Sequence, residues 1–432
     1  MKTVAVYTLG CKVNQVESEG IIEDFLNRGY QLAHPDEPAD VYIINTCTVT
    51  HVSDRKSRAV IRRAIRRQTD ALVVVTGCMA QLGPQAASLP EGIGLLVSNR
   101  DKERLAEIVE AWLEGSIIQP DMDLPTDEDK LKPLIYSHIH ERTRAFVKIQ
   151  DGCQSYCSYC IVPQVRGPVR SKLPADVVKE VRQLAGLGYQ EIVFTGIHCG
   201  LYGQDLAGWD LARLATSVLE QVPGSYRLRM GSIEPLEVTP ELIALIAGKY
   251  QVCRHLHIPL QSGSDRILSL MRRRYDSAYY RSLLRGIAEQ IPDIGLSADV
   301  MVGFPTESEE DFAQTYELLS ELPLLDLHVF KYSPRPGTKA YAMGDTVAAA
   351  VKGQRSERLL RLAADKHRTF GRGFIGQELE VLAERKAGED YFLGFTDNYL
   401  EVGFTDGGDC RGRILRVHIK GFLDDHLEGD IL

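Results

Sequence analysis

The sequence predicts an α/β protein in three parts: an N-terminal open parallel α/β domain, a central partial (β/α)6 barrel and a small C-terminal antiparallel β-barrel. Three observations predict it. Over the first two parts, apolar β-rich runs alternate with amphipathic helical patterns, which is how parallel sheets are written. Polar or glycine-rich turns follow the strands. After about residue 374 the pattern changes to short alternating strands separated by glycine turns. The expected boundaries are 1–118 for the first domain, 119–140 for an irregular linker rich in Pro and Asp, 141–370 for the barrel and 371–432 for the last domain.

A chain of 432 residues is too long for one ordinary core. Its 44% hydrophobic and 25% charged residues match a soluble globular protein. The opening "MKTVAVYTLGCKVNQ" reads as a first strand rather than a signal peptide. No apolar run reaches the ~18 residues of a membrane span. The chain is therefore expected in the cytoplasm, where nine cysteines point to metal ligands or catalytic groups before disulfides. A net charge of −9 argues against broad, non-specific nucleic-acid binding but leaves room for a local basic patch.

In the first domain the apolar runs are "VAVYTLGC" (4–11), "DVYIINTC" (40–47) and "ALVVVTGC" (71–78). Helical patterns such as "VESEGIIEDFLNRG" and "SDRKSRAVIRRAIRRQ" lie between them. Each run ends in a cysteine: Cys11, Cys47 and Cys78. Open parallel sheets bind ligands at the carboxyl ends of their strands, so the three thiols are expected to converge on one edge. The competing reading is three core cysteines, since Cys is among the most buried residue types.

The barrel strands are expected at 145–151, 190–196, 226–232, 255–260, 295–303 and 325–332. Between them, apolar residues recur at helical spacing, as in Val177, Val181 and Leu184. The turns after the strands, including "TGIHCG", "SIEP", "LQSGS", "GFPTE" and "YSPRPGT", form the rim on which such barrels place their chemistry. In the last domain, Leu415, Val417 and Ile419 alternate with Arg416, His418 and Lys420, giving one core face and one basic strip.

The first barrel strand leads into "DGCQSYCSYC", with Cys153, Cys157 and Cys160. Structural zinc sites usually take four protein ligands, and no fourth follows here. Iron–sulfur clusters are held by thiolates. Three thiolates on a four-iron core leave one iron open to an exogenous ligand. Cys199, Cys253 and Cys410 have no such neighbours and read as core or incidental residues.

This C-x3-C-x2-C loop after a first barrel strand resembles the radical S-adenosylmethionine (SAM) enzymes. Together with "YTLGCKVNQVES", "VRGPVRSK", "GSIEP", "HLHIPLQSGS", "DVMVGFPTE", "VFKYSPRPGT" and "GFTDNYLEV", the chain resembles the radical SAM methylthiotransferases over nearly its whole length. The resemblance implies two [4Fe-4S] clusters: a radical SAM cluster on Cys153, Cys157 and Cys160, whose open iron is chelated by SAM, and an auxiliary cluster on Cys11, Cys47 and Cys78. It implies a TRAM-like RNA-binding C-terminal barrel. It implies a tRNA substrate, presented in the anticodon loop, and an electron donor such as a flavodoxin or ferredoxin, with the sulfur source open. One SAM would serve as methyl donor and another as radical source. Of the three branches, the opening motif favours the one acting on N6-threonylcarbamoyladenosine. The alternatives are isopentenyladenosine in tRNA and an aspartate of a ribosomal protein. An iron–sulfur redox or sensor protein that binds RNA without chemistry is the alternative of another class.

Softer site candidates follow. Tyr159, Gly196, Glu234 and Gln261 are candidates for contact with SAM on the rim, against capping or packing roles. Arg166 and Arg170 are candidates for SAM or phosphate. The helix "DRKSRAVIRRAIRR" (54–67) carries seven basic residues; Arg55, Arg58, Arg62 and Arg66 lie opposite its apolar stripe, either as a solvated face or as a phosphate-binding one. Arg335, Arg416 and Lys420 complete the RNA-binding candidates, with Tyr399 as a stacking candidate.

Overall fold

The computed structural model describes residues 1–83, 88–116, 120–136 and 142–432. Contacts divide the chain into two units. The first comprises Met1–Ser137, Gln150–Leu173 and Ser333–Tyr341; the second comprises His138–Ile149, Pro174–Tyr332 and Ala342–Leu432. These units cut across the segments expected from sequence. The loop after the first barrel strand and the segment 333–341 group with the N-terminal sheet, because ion pairs described below tie them there.

In the first unit, β1 (Thr3–Thr8), β2 (Gln31–Leu32), β3 (Val41–Thr46), β4 (Leu72–Gly77) and β5 (Leu95–Leu96) form a parallel sheet in the order β2-β1-β3-β4-β5. All six positions of both β3 and β4 are buried. That is the reason these runs are continuously apolar: a parallel strand covered on both faces has no polar side to alternate with. Val4, Val6, Ile43 and Val74 pack on one face with Phe25 of α1 (Lys12–Asn27) and Val109 of α4 (Leu105–Leu113). Ala5, Ile44, Val73 and Val75 pack on the other with Ile61 and Ala64 of α2 (His51–Arg67). Thr50 starts α2 by accepting the Ser53 N–H at 3.1 Å. A short helix α3 (Cys78–Gln81) follows β4 directly. Residues 120–136 carry neither helix nor strand; positions 119 and 137–140 of the expected linker lie outside the described residues.

In the second unit the barrel strands stand where the sequence places them. They are β6 (Ala145–Asp151, whose last two residues belong to the first unit), β8 (Glu191–Gly196), β9 (Arg227–Arg229), β10 (His255–His257), β11 (Gly295–Val302) and β12 (Asp326–Lys331). The intervening β7 (Arg170–Ser171) is a short antiparallel partner of the end of β6 in the first unit. Strands β8 and β9 run parallel, as do β10, β11 and β12. The helix Pro174–Gly186 buries Val177, Val181 and Leu184, the stripe read from spacing. After the 24-residue helix Ala349–Arg372, strands β13 (Glu378–Lys386), β14 (Tyr391–Thr396), β15 (Glu401–Thr405), β16 (Ile414–Leu423) and β17 (His426–Ile431) close a barrel in the order β13-β14-β15-β17-β16. Val417 and Ile419 are buried, and Arg416 and Lys420 exposed, as the alternation requires.

Candidate functional site

The parallel sheet delivers three thiols to its carboxyl edge. Cys11 stands at the N-cap of α1, Cys47 follows β3, and Cys78 opens α3. Cys47 and Cys78 are buried and Cys11 is exposed, all as free thiols. Asn14, in the first turn of α1, clamps this edge. Its Nδ2 donates to the Leu9 carbonyl at 2.7 Å and the Thr46 carbonyl at 3.0 Å, holding the approaches to Cys11 and Cys47 on one donor. Thr46 Oγ1 donates to the Thr76 carbonyl at 2.5 Å and accepts the Met79 N–H at 3.2 Å, which joins the Cys47 turn to the Cys78 turn.

The residue before Cys78 has to be glycine. Gly77 has φ +91°, and a Cβ there would lie 2.7 Å from the Thr46 nitrogen. Gly10, before Cys11, approaches Cys47 in the same way. The bare backbone at these two positions lets the turns that carry Cys11, Cys47 and Cys78 approach one another. Burial pushes the Cys47 thiol above its ordinary value, so a bound metal centre has to displace its proton.

The second triplet lies in the loop after β6, in the same unit. Gly152 has φ +74°, and a Cβ there would overlap the Pro168 carbonyl. The Cys153 N–H donates to the Gly167 carbonyl at 3.1 Å, and the Cys160 N–H to the Cys157 carbonyl at 3.0 Å. Segment 333–341 buttresses the loop: the Ala340 N–H reaches the Ser158 carbonyl at 2.7 Å, and Gln164 Nε2 reaches the Gly337 carbonyl at 2.7 Å. All three thiols are half-buried, as is Tyr159.

A buried run of charge joins the two triplets' loops. Lys102 Nζ meets Glu17 Oε2 at 2.6 Å; Glu17 pairs with Arg166; Arg166 meets Asp151 at 3.3 Å; and Asp151 meets Arg170 at 3.3 Å. This corrects the expectation for Arg166 and Arg170. Both are buried and bonded within the protein, so they are not presented to phosphate. The same holds for Arg335, which is buried against Asp54 (2.8 Å) and Thr48 and fixes segment 333–341 rather than lying open to RNA. Sequence reasoning missed Asn14, Glu17, Lys102 and Asp151. Asn14 and Glu17 stood three apart on α1, one turn of a single face, and that was the available signal.

Among the SAM candidates, Gly196 ends β8. Gln261 is buried with φ +69°; its N–H donates to the Asp299 carbonyl at 2.8 Å, and its carbonyl accepts the Met301 N–H at 2.9 Å. Glu234 pairs with Arg273, and burial outweighs that pairing to raise its carboxyl above the usual value. One face of β10–β12 is polar. His257 Nε2 lies 3.1 Å from Asp299, His328 Nδ1 lies 3.4 Å from the same oxygen, and Ser297 Oγ lies 2.9 Å from His257 Nδ1. Burial works to raise the Asp299 pKa, but the two histidines prevail and hold it below the carboxylate range. Their signal in the sequence was the alternation in "HLHIP" and "LHVF".

Of the RNA candidates, Arg55, Arg62 and Arg66 are exposed on α2 and Arg58 is half-buried. Arg66 Nε donates to the Arg62 carbonyl of its own helix, at 3.2 Å. Arg416 and Lys420 are exposed and paired with Glu378 and Asp430; exposed pairs of this kind are worth little and exchange readily. Tyr399 corrects another expectation. It stacks on His255 at 4.5 Å, with Arg144 and Arg229 over its ring at 5.1 and 4.8 Å, so its faces are taken.

Residues 3–94 match the family described as "Uncharacterized protein family UPF0004", and residues 147–319 match the "Radical SAM superfamily". The radical SAM methyltransferase TsrM from Kitasatospora setae shares the fold, with a TM-score of 0.62 at 15% identity over 79% of this chain and 75% of that one. The match to the radical SAM superfamily over 147–319 makes the class a radical SAM enzyme. The chain is 39% identical over 428 residues to the threonylcarbamoyladenosine tRNA methylthiotransferase MtaB of Bacillus subtilis, covering 97% of this chain and 94% of that protein. It is 33% identical over 439 residues to the tRNA-2-methylthio-N6-dimethylallyladenosine synthase of Protochlamydia amoebophila, covering 100% and 96%. The chain belongs to the radical SAM methylthiotransferase family.

The cofactors of this class are SAM and two [4Fe-4S] clusters, and the donor sets fit them. Each triplet offers three thiols that form no disulfide, and no fourth protein ligand is needed. Within the described residues, the donors found at single-ion spacing are His257, Asp299 and His328, all within 4.8 Å.

Proposed function

We propose that this enzyme installs a methylthio group at C2 of N6-threonylcarbamoyladenosine beside the anticodon of tRNA. The observation that carries the reading is the end-to-end match to the Bacillus threonylcarbamoyladenosine enzyme, which spans both cysteine triplets and the C-terminal barrel. The target C–H sits on an aromatic ring and has no acidic proton, so general acid–base catalysis by side chains has nothing to act on. Bound SAM and the two clusters supply the one-electron and group-transfer chemistry that such a bond requires.

The chain's own residues supply position. Cys153, Cys157 and Cys160 hold one cluster by three thiolates and leave its fourth iron to SAM. Cys11, Cys47 and Cys78 hold the other on the edge that Asn14 and Thr46 lock. Gly196, Glu234 and Gln261 contact SAM, with Tyr159 near its adenine. Arg55, Arg58, Arg62 and Arg66 give α2 a phosphate-binding face, assisted by Arg416 and Lys420 of the C-terminal barrel. The enzyme works in the cytoplasm and draws electrons from a low-potential carrier such as a flavodoxin or ferredoxin. Among the described residues, no helix is long and apolar enough to cross a membrane.

Nucleoside mass spectrometry of tRNA from a deletion strain is the test. The expected result is loss of the methylthio form of threonylcarbamoyladenosine with accumulation of its precursor. Intact levels of that nucleoside, with a methylthio group lost instead from the dimethylallyl nucleoside or from a ribosomal protein, overturn the assignment. Anaerobic protein with clusters intact that yields no 5′-deoxyadenosine from SAM and a reductant overturns the enzymatic reading itself.

A further inference from the structure

Arg166 lies at the end of the short helix α5 (Val162–Arg166), six residues after Cys160, and its side chain is 0% exposed. A buried guanidinium is costly unless its donors are matched. Nη1 donates to Glu17 and Asp151, and Nη2 to Asn14 and Glu17. The Nε–H is buried and has no hydrogen-bond partner among the described residues. Buried N–H groups without partners are rare, and each calls for a reason.

Its surroundings supply one. The Asn14 Oδ1 that accepts from Arg166 also faces the Cys11 thiol, at 3.9 Å. Val165, the preceding residue, packs against Cys78. Along the buried run, Lys102, Arg166 and Arg170 supply three cations against the two carboxylates of Glu17 and Asp151. An oxidised four-iron core held by three thiolates carries net negative charge and presents sulfur acceptors.

We propose that Arg166 is a positioning residue for the auxiliary cluster: its two Nη groups lock the loop of Cys11 to the loop of Cys153, and its Nε–H donates to a sulfur of the cluster held by Cys11, Cys47 and Cys78. Hydrogen bonds to cluster sulfurs and nearby positive charge both favour the reduced form, so Arg166 raises the reduction potential of that cluster. Arginine suits the task where lysine does not, because one planar fork reaches Glu17, Asp151 and Asn14 at once and still turns Nε inward.

The inference rests on the auxiliary-cluster reading, and the experiment separates the two. Full-length protein carrying Cys153→Ala, Cys157→Ala and Cys160→Ala is reconstituted anaerobically, so that only auxiliary iron remains. Absence of iron in this parent overturns the auxiliary-cluster reading before any Arg166 variant is made. With iron present, the auxiliary cluster is titrated by electron paramagnetic resonance in the parent, in Arg166→Gln and in Arg166→Lys. The expected result is full iron with a midpoint potential moved negative in Arg166→Gln, and moved less in Arg166→Lys, which keeps the charge but not the fork. An unmoved potential in Arg166→Gln overturns the proposal. If Arg166→Gln fails to fold or to hold iron, Arg166→Lys decides: a negative shift supports the proposal and an unchanged potential overturns it.

Discussion

Cys153 reaches its place because residue 152 has no side chain. A Cβ on Gly152 would overlap the Pro168 carbonyl, and its φ of +74° is left-handed. The left-handed backbone alone costs an alanine about 1–2 kcal/mol, and the overlap adds to that by forcing the 150–168 loop apart. Gly152→Ala is therefore expected to displace Cys153 and to halve the iron, about one cluster of two, while the far-UV circular dichroism of the sheet persists. Iron and sulfide analysis beside the spectrum checks it, and unchanged iron refutes it. The three "GC" pairs at 10–11, 77–78 and 152–153 were visible as text; cysteine spacing suggested the triplet at 153, 157 and 160, and a cysteine at the end of each strand run suggested the other. Arg335, Arg166 and Tyr399 were not readable that way. Each has its fate decided by partners far along the chain, such as Asp54 for Arg335, 281 residues away, and no local window distinguishes a buried arginine from a surface one.

At the scale of elements, hydrophobic period was enough for the long pieces. The strands β3, β4, β6, β8 and β11 fall within a residue or so of the runs that predicted them; β3 and β4, buried on both faces, leave a continuous apolar signal. The two-residue edge strands β2 and β5 left none, because pairing with β1 and β4 alone makes them strands. Helix α2 shows what period cannot decide. Its apolar residues Ile61 and Ala64 are buried as read, yet its exposed arginines look alike whether they face water or phosphate. Replacing Arg55, Arg62 and Arg66 together by Glu resolves this. If α2 is a phosphate face, tRNA affinity falls by at least tenfold at low salt, and the slope of log affinity against log salt flattens by about 0.9 for each phosphate no longer neutralised. Filter binding across a salt series measures both. A parallel loss with an unchanged slope, or no loss, returns α2 to the status of a solvated face.

For the molecule as a whole, the second unit holds a buried knot of charge, in which Glu384 also pairs with Arg144. Glu191 is 0% exposed and stands among Arg227 (2.5 Å), Arg229 (2.7 Å) and Arg144 (3.2 Å). Those arginines also hold the turn between β14 and β15: Arg227 Nη2 donates to the Phe395 carbonyl at 2.8 Å, and Arg229 to the Thr396 and Asp397 carbonyls at 3.0 and 2.9 Å. The C-terminal barrel is thereby tied to β8 and β9 through a buried charge knot rather than by apolar contact alone. Composition gave no hint of it, since the net charge of −9 averages over the very pairs that matter. Burial works to raise the Glu191 pKa, but the three guanidinium groups prevail and hold it well below the carboxylate range. A depressed folded pKa contributes stability that is fully present above the unfolded carboxylate value, near 4.3, and is lost as pH falls through the folded one. Glu191→Gln removes that charge at every pH and leaves three buried cations less balanced, at a cost of about 3 kcal/mol near neutrality. Calorimetry is therefore expected to show a lower melting temperature for the variant at neutral pH, with the gap to the parent closing in acid, where the parent's own Glu191 takes up a proton. A gap that stays constant from neutral pH into the acid limb would mean that the knot contributes by shape and hydrogen bonding and not by charge.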